Sequence, residues 1–198
     1  MFFFKRKPKI RFACTKCGKC CSEFSINITH LDMIRIMKRL QLDPIEFISF
    51  AQAENSDREA FISGYIKKIL VLRKTPIKDS CIFLSTKNLC LINDFKPIIC
   101  KTWPFDIDKE KNLCYMREYE KFIRKHCKYD KDDIINNVED IFKLIKIYYK
   151  ERKEYIKLVN LWNSDKISNS CEDEFYIDNS SINDFIDFIL YNYKKIGD

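Results

Sequence analysis

Apolar and polar positions follow different rules in the two parts of this chain. From Ile134 onward, Ile134, Val138, Ile141, Ile145 and Tyr148 recur at steps of four, three, four and three, which marks one buried helical stripe. The stripe runs on through Ile156, Val159 and Trp162, as one long helix or two. Ser180-Ser181-Ile182-Asn183-Asp184 caps a last helix carrying Ile182, Phe185, Ile189 and Tyr193. Before residue 129 the runs are shorter and mixed. Ser25-Ile26-Asn27-Ile28 alternates as a short strand does. Thr29-x-x-Asp32 is a capping box that opens a helix burying Leu31, Ile34, Met37 and Leu40. Asp43-Pro44-Ile45-Glu46 predicts a second helix start, with Ile45, Phe47 and Ile48 on its apolar side. Tyr65 to Arg73 (YIKKILVLR) reads as a strand rich in branched residues. Between Pro76 and Asp108, turns fall at Lys87-Asn88 and Asn93-Asp94, and the short apolar runs Ile82-Phe83-Leu84 and Leu91-Ile92 are too brief for helices.

Composition narrows the classes. At 198 residues, with 46% hydrophobic and 14% aromatic content, the chain can fill a core. Only three glycines and five prolines leave little room for flexible linkers. The balance of 36 basic to 29 acidic residues gives +7, which invites a nucleic-acid reading. No RNA-binding aromatic motif or helix-turn-helix pattern supports it, so nucleic acid is an unlikely partner. The start, MFFFKRKPKIRF, fits neither a signal peptide nor an anchor, and no later run approaches the ~18 apolar residues of a spanning helix. The expectation is a cytoplasmic protein without membrane segments.

Sulfur changes the picture. CTKCGKCC, Cys14 to Cys21, places four thiols in eight residues. In a reducing cytoplasm, ten cysteines read better as metal ligands than as bridges; disulfides, which hyperthermophile cytosols tolerate, are the competing reading. Cys14, Cys17 and Cys20 form a C-x-x-C-x-x-C run, the spacing that opens a bacterial [4Fe–4S] motif, although its fourth cysteine and following proline are absent. Gly18 suits the tight turn past a metal. Cys21 follows Cys20 directly, and adjacent residues seldom serve one small ion. It should face a second site or pack as a buried thiol. Cys81, Cys90 and Cys100 are candidates for that second site. Nine of the ten cysteines lie at or before Cys127. We therefore expect a cysteine domain over 1–128 and a helical extension over 129–198, which docks on the first domain or on a protein partner. The fold class expected is α+β: mostly helical, with small irregular β elements around a cysteine-ligated metal centre.

These residues carry a resemblance. F-x-C-x-x-C-G-x-C-C, Phe12 to Cys21, resembles the signature of the YkgJ-type cysteine cluster proteins, the CxxCxxCC zinc- or iron-chelating domain. A second block is also similar, through Cys81, Phe83, Leu84, Cys90, Ile92, Pro97, Cys100, Pro104 and Phe105. Lys96 and Lys101 stand where the family usually has arginine, keeping the charge but losing a planar bidentate donor. The resemblance covers roughly residues 12 to 127 and implies a late cysteine ligand. Cys127 or Cys114 can fill that place, and Cys127, in a polar turn, is preferred over Cys114 in a strand. The implied metal set is Cys14, Cys17, Cys20, Cys21, Cys81, Cys90, Cys100 and Cys127, enough for two four-ligand sites holding zinc or an iron–sulfur cluster. Whether the protein is an enzyme stays open. The resemblance also implies an alternative, a cluster-containing protein methyltransferase related to flagellin lysine N-methylases, for whose methyl-donor segment this chain shows no counterpart.

Other features are weaker. His126 competes with Cys127 as a ligand, and His30 reads as a local hydrogen-bonding residue in a helix first turn. Two histidines make a Ser-His-Asp or Cys-His hydrolase improbable, and no phosphate-binding glycine loop is present. Asp130 to Asp133 reads as a solvated helix start, and Trp103-Pro104-Phe105 as an apolar lid over the metal.

Overall fold

The computed structural model describes residues 17–54, 56–108, 113–116, 138–169 and 180–196. Cys14, Cys127, Cys171, His126, Ile134 and the acidic run at Asp130 lie outside the described residues. The described elements are α1 (Lys19–Glu23), α2 (His30–Leu40), α3 (Pro44–Phe47), β1 (Ile48–Gln52), β2 (Phe61–Ser63), β3 (Ile66–Leu72), α4 (Ile98–Thr102), β4 (Phe105–Asp108), β5 (Leu113–Met116), α5 (Val138–Asn169) and α6 (Ser180–Ile196). The chain is α+β, as expected, with helices predominating. It divides into two compact units, one of residues 1–20 and 83–148, the other of residues 21–82 and 149–198.

The second unit is built on an antiparallel sheet of order β1-β3-β2. β3 is the strand anticipated at Tyr65–Arg73 and pairs with β1 from Ile48↔Leu72 to Gln52↔Lys68. β2 returns into β3 through the two-residue loop Gly64-Tyr65, where Gly64 adopts φ +60°. The alternating segment around Asn27 docks beside the far half of β3, with Leu72 N–H donating to the Ile26 carbonyl at 2.9 Å.

The Thr29 capping box is present: Asp32 N–H donates to Thr29 Oγ1 at 3.3 Å, and Thr29 N–H to Asp32 Oδ2 at 3.2 Å. Its helix buries Met33, Ile34 and Ile36 along with His30, while Leu31, Met37 and Leu40 are only half-buried. The Asp43 box also forms, but its helix lasts a single turn. Ile48, expected on the helix, begins β1 instead, because its pairing with Leu72 captures the chain there.

The long stripe is one helix, α5, and its buried residues are Ile141, Ile145, Tyr148, Tyr155, Leu158, Val159 and Trp162. Within the second unit, α5 and α6 pack on the sheet. Phe61 of β2 stacks on Phe185 of α6 at 3.9 Å, and Trp162 meets Phe185 edge-on at 5.3 Å. β2 is an edge strand, and side chains of α5 cover its outer backbone groups. Ile62 N–H donates to Asn163 Oδ1 at 2.8 Å, Asn163 Nδ2 to the Ala60 carbonyl at 3.0 Å, and Trp162 Nε1 to the Ile62 carbonyl at 2.8 Å. The carboxamide thus completes the pairing a further strand would supply. Asn163→Ala should strand Ile62 N–H and the Ala60 carbonyl together. The expected loss is about 1–3 kcal/mol in urea unfolding, with no change in metal content.

Ion pairs join α2 and the sheet connection to α5. Arg35 reaches both oxygens of Glu151 at 2.8 Å and Asp32 Oδ1 at 2.5 Å. Arg152 Nε donates to Glu59 Oε1 at 2.5 Å. Burial pushes the Glu59 carboxyl above the usual carboxylate range, against the opposing pull of Arg152.

Candidate metal centre

Each cysteine block acquires its geometry from a local device. Gly18 stands at φ +73° just before α1, a left-handed conformation that suits glycine. A Cβ at this position would lie 3.2 Å from both Asn88 Cβ and Leu84 Cδ1. The backbone beside Cys17 is therefore pressed onto the loop that carries Cys90. That loop is a tight hairpin. Leu84 bridges Cys90, Ser85 N–H donates to the Leu89 carbonyl at 2.9 Å, and Asn88 takes φ +59° at the turn anticipated for Lys87-Asn88. Gly18→Ala should cost about 1–2 kcal/mol through its φ and this crowding, and should lower metal retention in the same sample. Differential scanning calorimetry paired with metal analysis reads both.

Cys20 and Cys21 are successive residues of α1. On a helix that places them about 100° apart around the axis, so one small ion cannot readily take both. The Cys21 carbonyl accepts a hydrogen bond from Cys81 N–H at 2.8 Å, which joins the first and second cysteine blocks of the sequence inside the second unit. Cys81 is held there by its bridge to Lys74, just beyond the end of β3. Lys74 Nζ in turn approaches the Ser22 carbonyl at 3.4 Å and Asp79 Oδ2 at 3.1 Å. Lys74 was not among the residues the sequence singled out. No local signal marks it, because its place beside Cys21 comes from the path of β3.

In the first unit Cys100 lies on α4, which Pro97 opens. Phe83, Ile92, Ile98 and Phe105 are buried with Pro97 and Pro104, so most apolar positions of the second block form core, while Leu84 is half-buried. Lys96 Nζ donates to Asn93 Oδ1 at 3.3 Å, and Lys101 Nζ to the Asp94 carbonyl at 3.1 Å. Both lysines thus brace the Asn93-Asp94 turn, a task that point-charge donors perform without a bidentate fork. Cys114 lies on β5, in keeping with a strand position.

Cys17, Cys20, Cys21, Cys81, Cys90 and Cys100 are free cysteines, none joined in a disulfide. Cys81 is buried and the others are half-buried. Thiols of this kind have the donor chemistry for zinc or iron. Among the described residues, no group of three or more potential ligands stands together closely enough to hold a metal ion. The structure therefore brings together the backbones of Cys21 and Cys81, and of Gly18 and the Cys90 hairpin. His30, expected to be a local hydrogen-bonding residue, is buried with no partner at Nδ1 among the described residues, its ring stacked on Tyr155 at 5.9 Å. It is part of the core. Among the described residues, no helix is long and apolar enough to cross a membrane.

Comparison with known families agrees with the resemblance read from the two cysteine blocks. A family model matches residues 13–128, which include every cysteine except Cys171. Neither the curated proteins nor the solved structures contain a match. Through these residues the chain belongs to the CxxCxxCC family, described as a putative zinc- or iron-chelating domain.

Proposed function

We propose that the protein is a metal-holding module in which Cys14, Cys17, Cys20, Cys21, Cys81, Cys90, Cys100 and Cys127 supply two thiolate sites, the first of them an iron–sulfur site. The single observation that carries the reading is the 2.8 Å hydrogen bond from Cys81 N–H to the Cys21 carbonyl. It unites two blocks that the sequence keeps far apart. In this reading Cys20 and Cys21 serve different sites, in keeping with their angular separation on α1. Cys14, Cys17 and Cys20 provide the C-x-x-C-x-x-C run, and Gly18 lets the chain turn around it. Cys21 and Cys81 serve the second site.

A bound iron–sulfur cluster would supply one-electron chemistry, whereas zinc would be redox-silent. The chain's own contribution is to hold thiolates, to exclude water with the apolar core around Phe83, Ile92 and Phe105, and to offset negative charge with lysines. A four-thiolate zinc site carries about −2, so part of the +7 balances the sites themselves. Thiolate ligation would also suit a reducing, cytoplasmic setting. Anaerobic purification followed by metal analysis and visible spectroscopy tests the reading. Brown protein containing iron and sulfide is expected. Colourless protein with stoichiometric zinc would overturn the iron–sulfur assignment and keep the module; protein that takes up neither metal would overturn both.

A further inference from the structure

Away from the cysteines, the second unit carries an open cleft of about 530 Å³ at the end of β1 and along the β1–β2 connection. Its volume lies within the range of small-molecule sites, about 300–1,000 Å³. Its walls do not resemble the usual apolar pocket. Among the described residues, Ala53 and Ile69 are the only aliphatic ones lining it, while Glu54, Asp57, Arg58 and Arg152 contribute two carboxylates and two guanidiniums. A nucleobase, sterol or aromatic ligand would find little surface to match.

Two of the four charged side chains, Asp57 and Arg152, are held in place, while Glu54 and Arg58 are exposed. Asp57 N–H donates to the Glu54 carbonyl at 3.0 Å and Ala60 N–H to the Asp57 carbonyl at 3.3 Å, so two successive turns shape the connection. Asp57 Oδ1 accepts from Glu59 N–H at 2.9 Å. Arg152 is anchored through Nε on the buried Glu59 carboxyl, yet its side chain keeps 37% of its exposure at the cleft. The ion pair thus acts as a buttress that fixes one guanidinium before any ligand arrives.

A simple anion would meet Arg58 and Arg152 but also Glu54 and Asp57. A simple cation would meet the same conflict with the signs reversed. Only a molecule bearing both charges close together satisfies both pairs. We propose that this cleft binds a free α-amino acid, its carboxylate against Arg58 and Arg152 and its ammonium against Glu54 and Asp57. The site is independent of the metal reading.

Isothermal titration of the full chain with the common L-amino acids tests it, each compared with its decarboxylated amine and its deaminated acid. At least one amino acid should bind about tenfold or more tighter than either fragment, because each fragment leaves one charged pair of the cleft unmatched. Arg58→Gln and Asp57→Asn should each weaken that binding about tenfold, with circular dichroism unchanged. Arg58 is exposed, and asparagine keeps the side-chain acceptor for Glu59 N–H, so both variants should fold. The proposal fails if no amino acid binds, if a fragment binds as tightly as its parent, or if both variants bind like the natural chain.

Discussion

Cys17→Ser is expected to release metal and to lower the stability of the protein, whereas Cys171→Ser should do neither. A serine hydroxyl stays protonated near neutral pH and is a poor ligand for a soft cation, so the site loses a charged donor outright. Structural zinc in small domains contributes about 10–16 kcal/mol of binding energy coupled to folding, so weakening one ligand should cost several kcal/mol. Position matters as much as chemistry. Cys17 precedes the glycine that lies against Leu84 and Asn88, so disorder at the site should spread to the Cys90 hairpin. A comparison of Cys20→Ser with Cys21→Ser sharpens the argument. If the two thiols serve different sites, each variant should lose only part of the metal. Metal content per chain and thermal unfolding, read on all four proteins, check this. Equal retention in Cys17→Ser and Cys171→Ser would defeat the ligand assignment.

The second large effect concerns acid and His30. This side chain is 5% exposed, and burial drops its pKa from 6.5 to about 4. Asp32 and Glu154 pull the value up and Arg35 pushes it further down, but desolvation dominates. With the folded value below the unfolded one, the unfolded chain binds the proton first. His30 therefore costs nothing above pH 6.5, and its penalty grows as pH falls from there towards 4. At about 1.4 kcal/mol for each pH unit, the loss between pH 7.5 and 4.5 should be about 2–3 kcal/mol. His30→Phe keeps a ring to stack on Tyr155 and removes the proton site, so its stability should fall less steeply over that range. Thiolate protonation weakens both proteins alike, which makes their difference the informative quantity. Glu59 works in the opposite sense, since its raised carboxyl favours the folded state at lower pH. Denaturant titrations at the two pH values that gave identical losses would exclude His30 as the cause.

Much of the fold was legible because its signals are local. The two capping boxes, the branched strand and the stripe of α5 each depend on residues within a few positions of one another. β1 and β2 escaped notice for physical reasons. β2 has three residues, too few to display a period, and β1 begins where a one-turn helix ends, so Ile48 satisfies either pattern. Within α5, Tyr155 rather than Ile156 takes the fully buried place, because its ring stacks on His30. The short helix at Ile98–Thr102 carries no capping side chain to announce it.

The candidate site divides in the same way. Spacing identified the thiols, the glycine and the turn at Lys87-Asn88. The pairing of Cys21 with Cys81 depends on where β3 ends and on how the chain returns from Asp79, which no local pattern contains. The bracing roles of Lys96 and Lys101 were hidden too, since both emerge only once the Asn93-Asp94 turn has formed.

X-ray absorption at the metal edge of anaerobically prepared protein bears most directly on thiolate ligation. A first shell of sulfur alone, at about 2.3 Å with four sulfurs per metal, is the result required. A shell dominated by nitrogen or oxygen at about 2.0–2.1 Å would contradict it, because the metal would then be held by groups other than these cysteines.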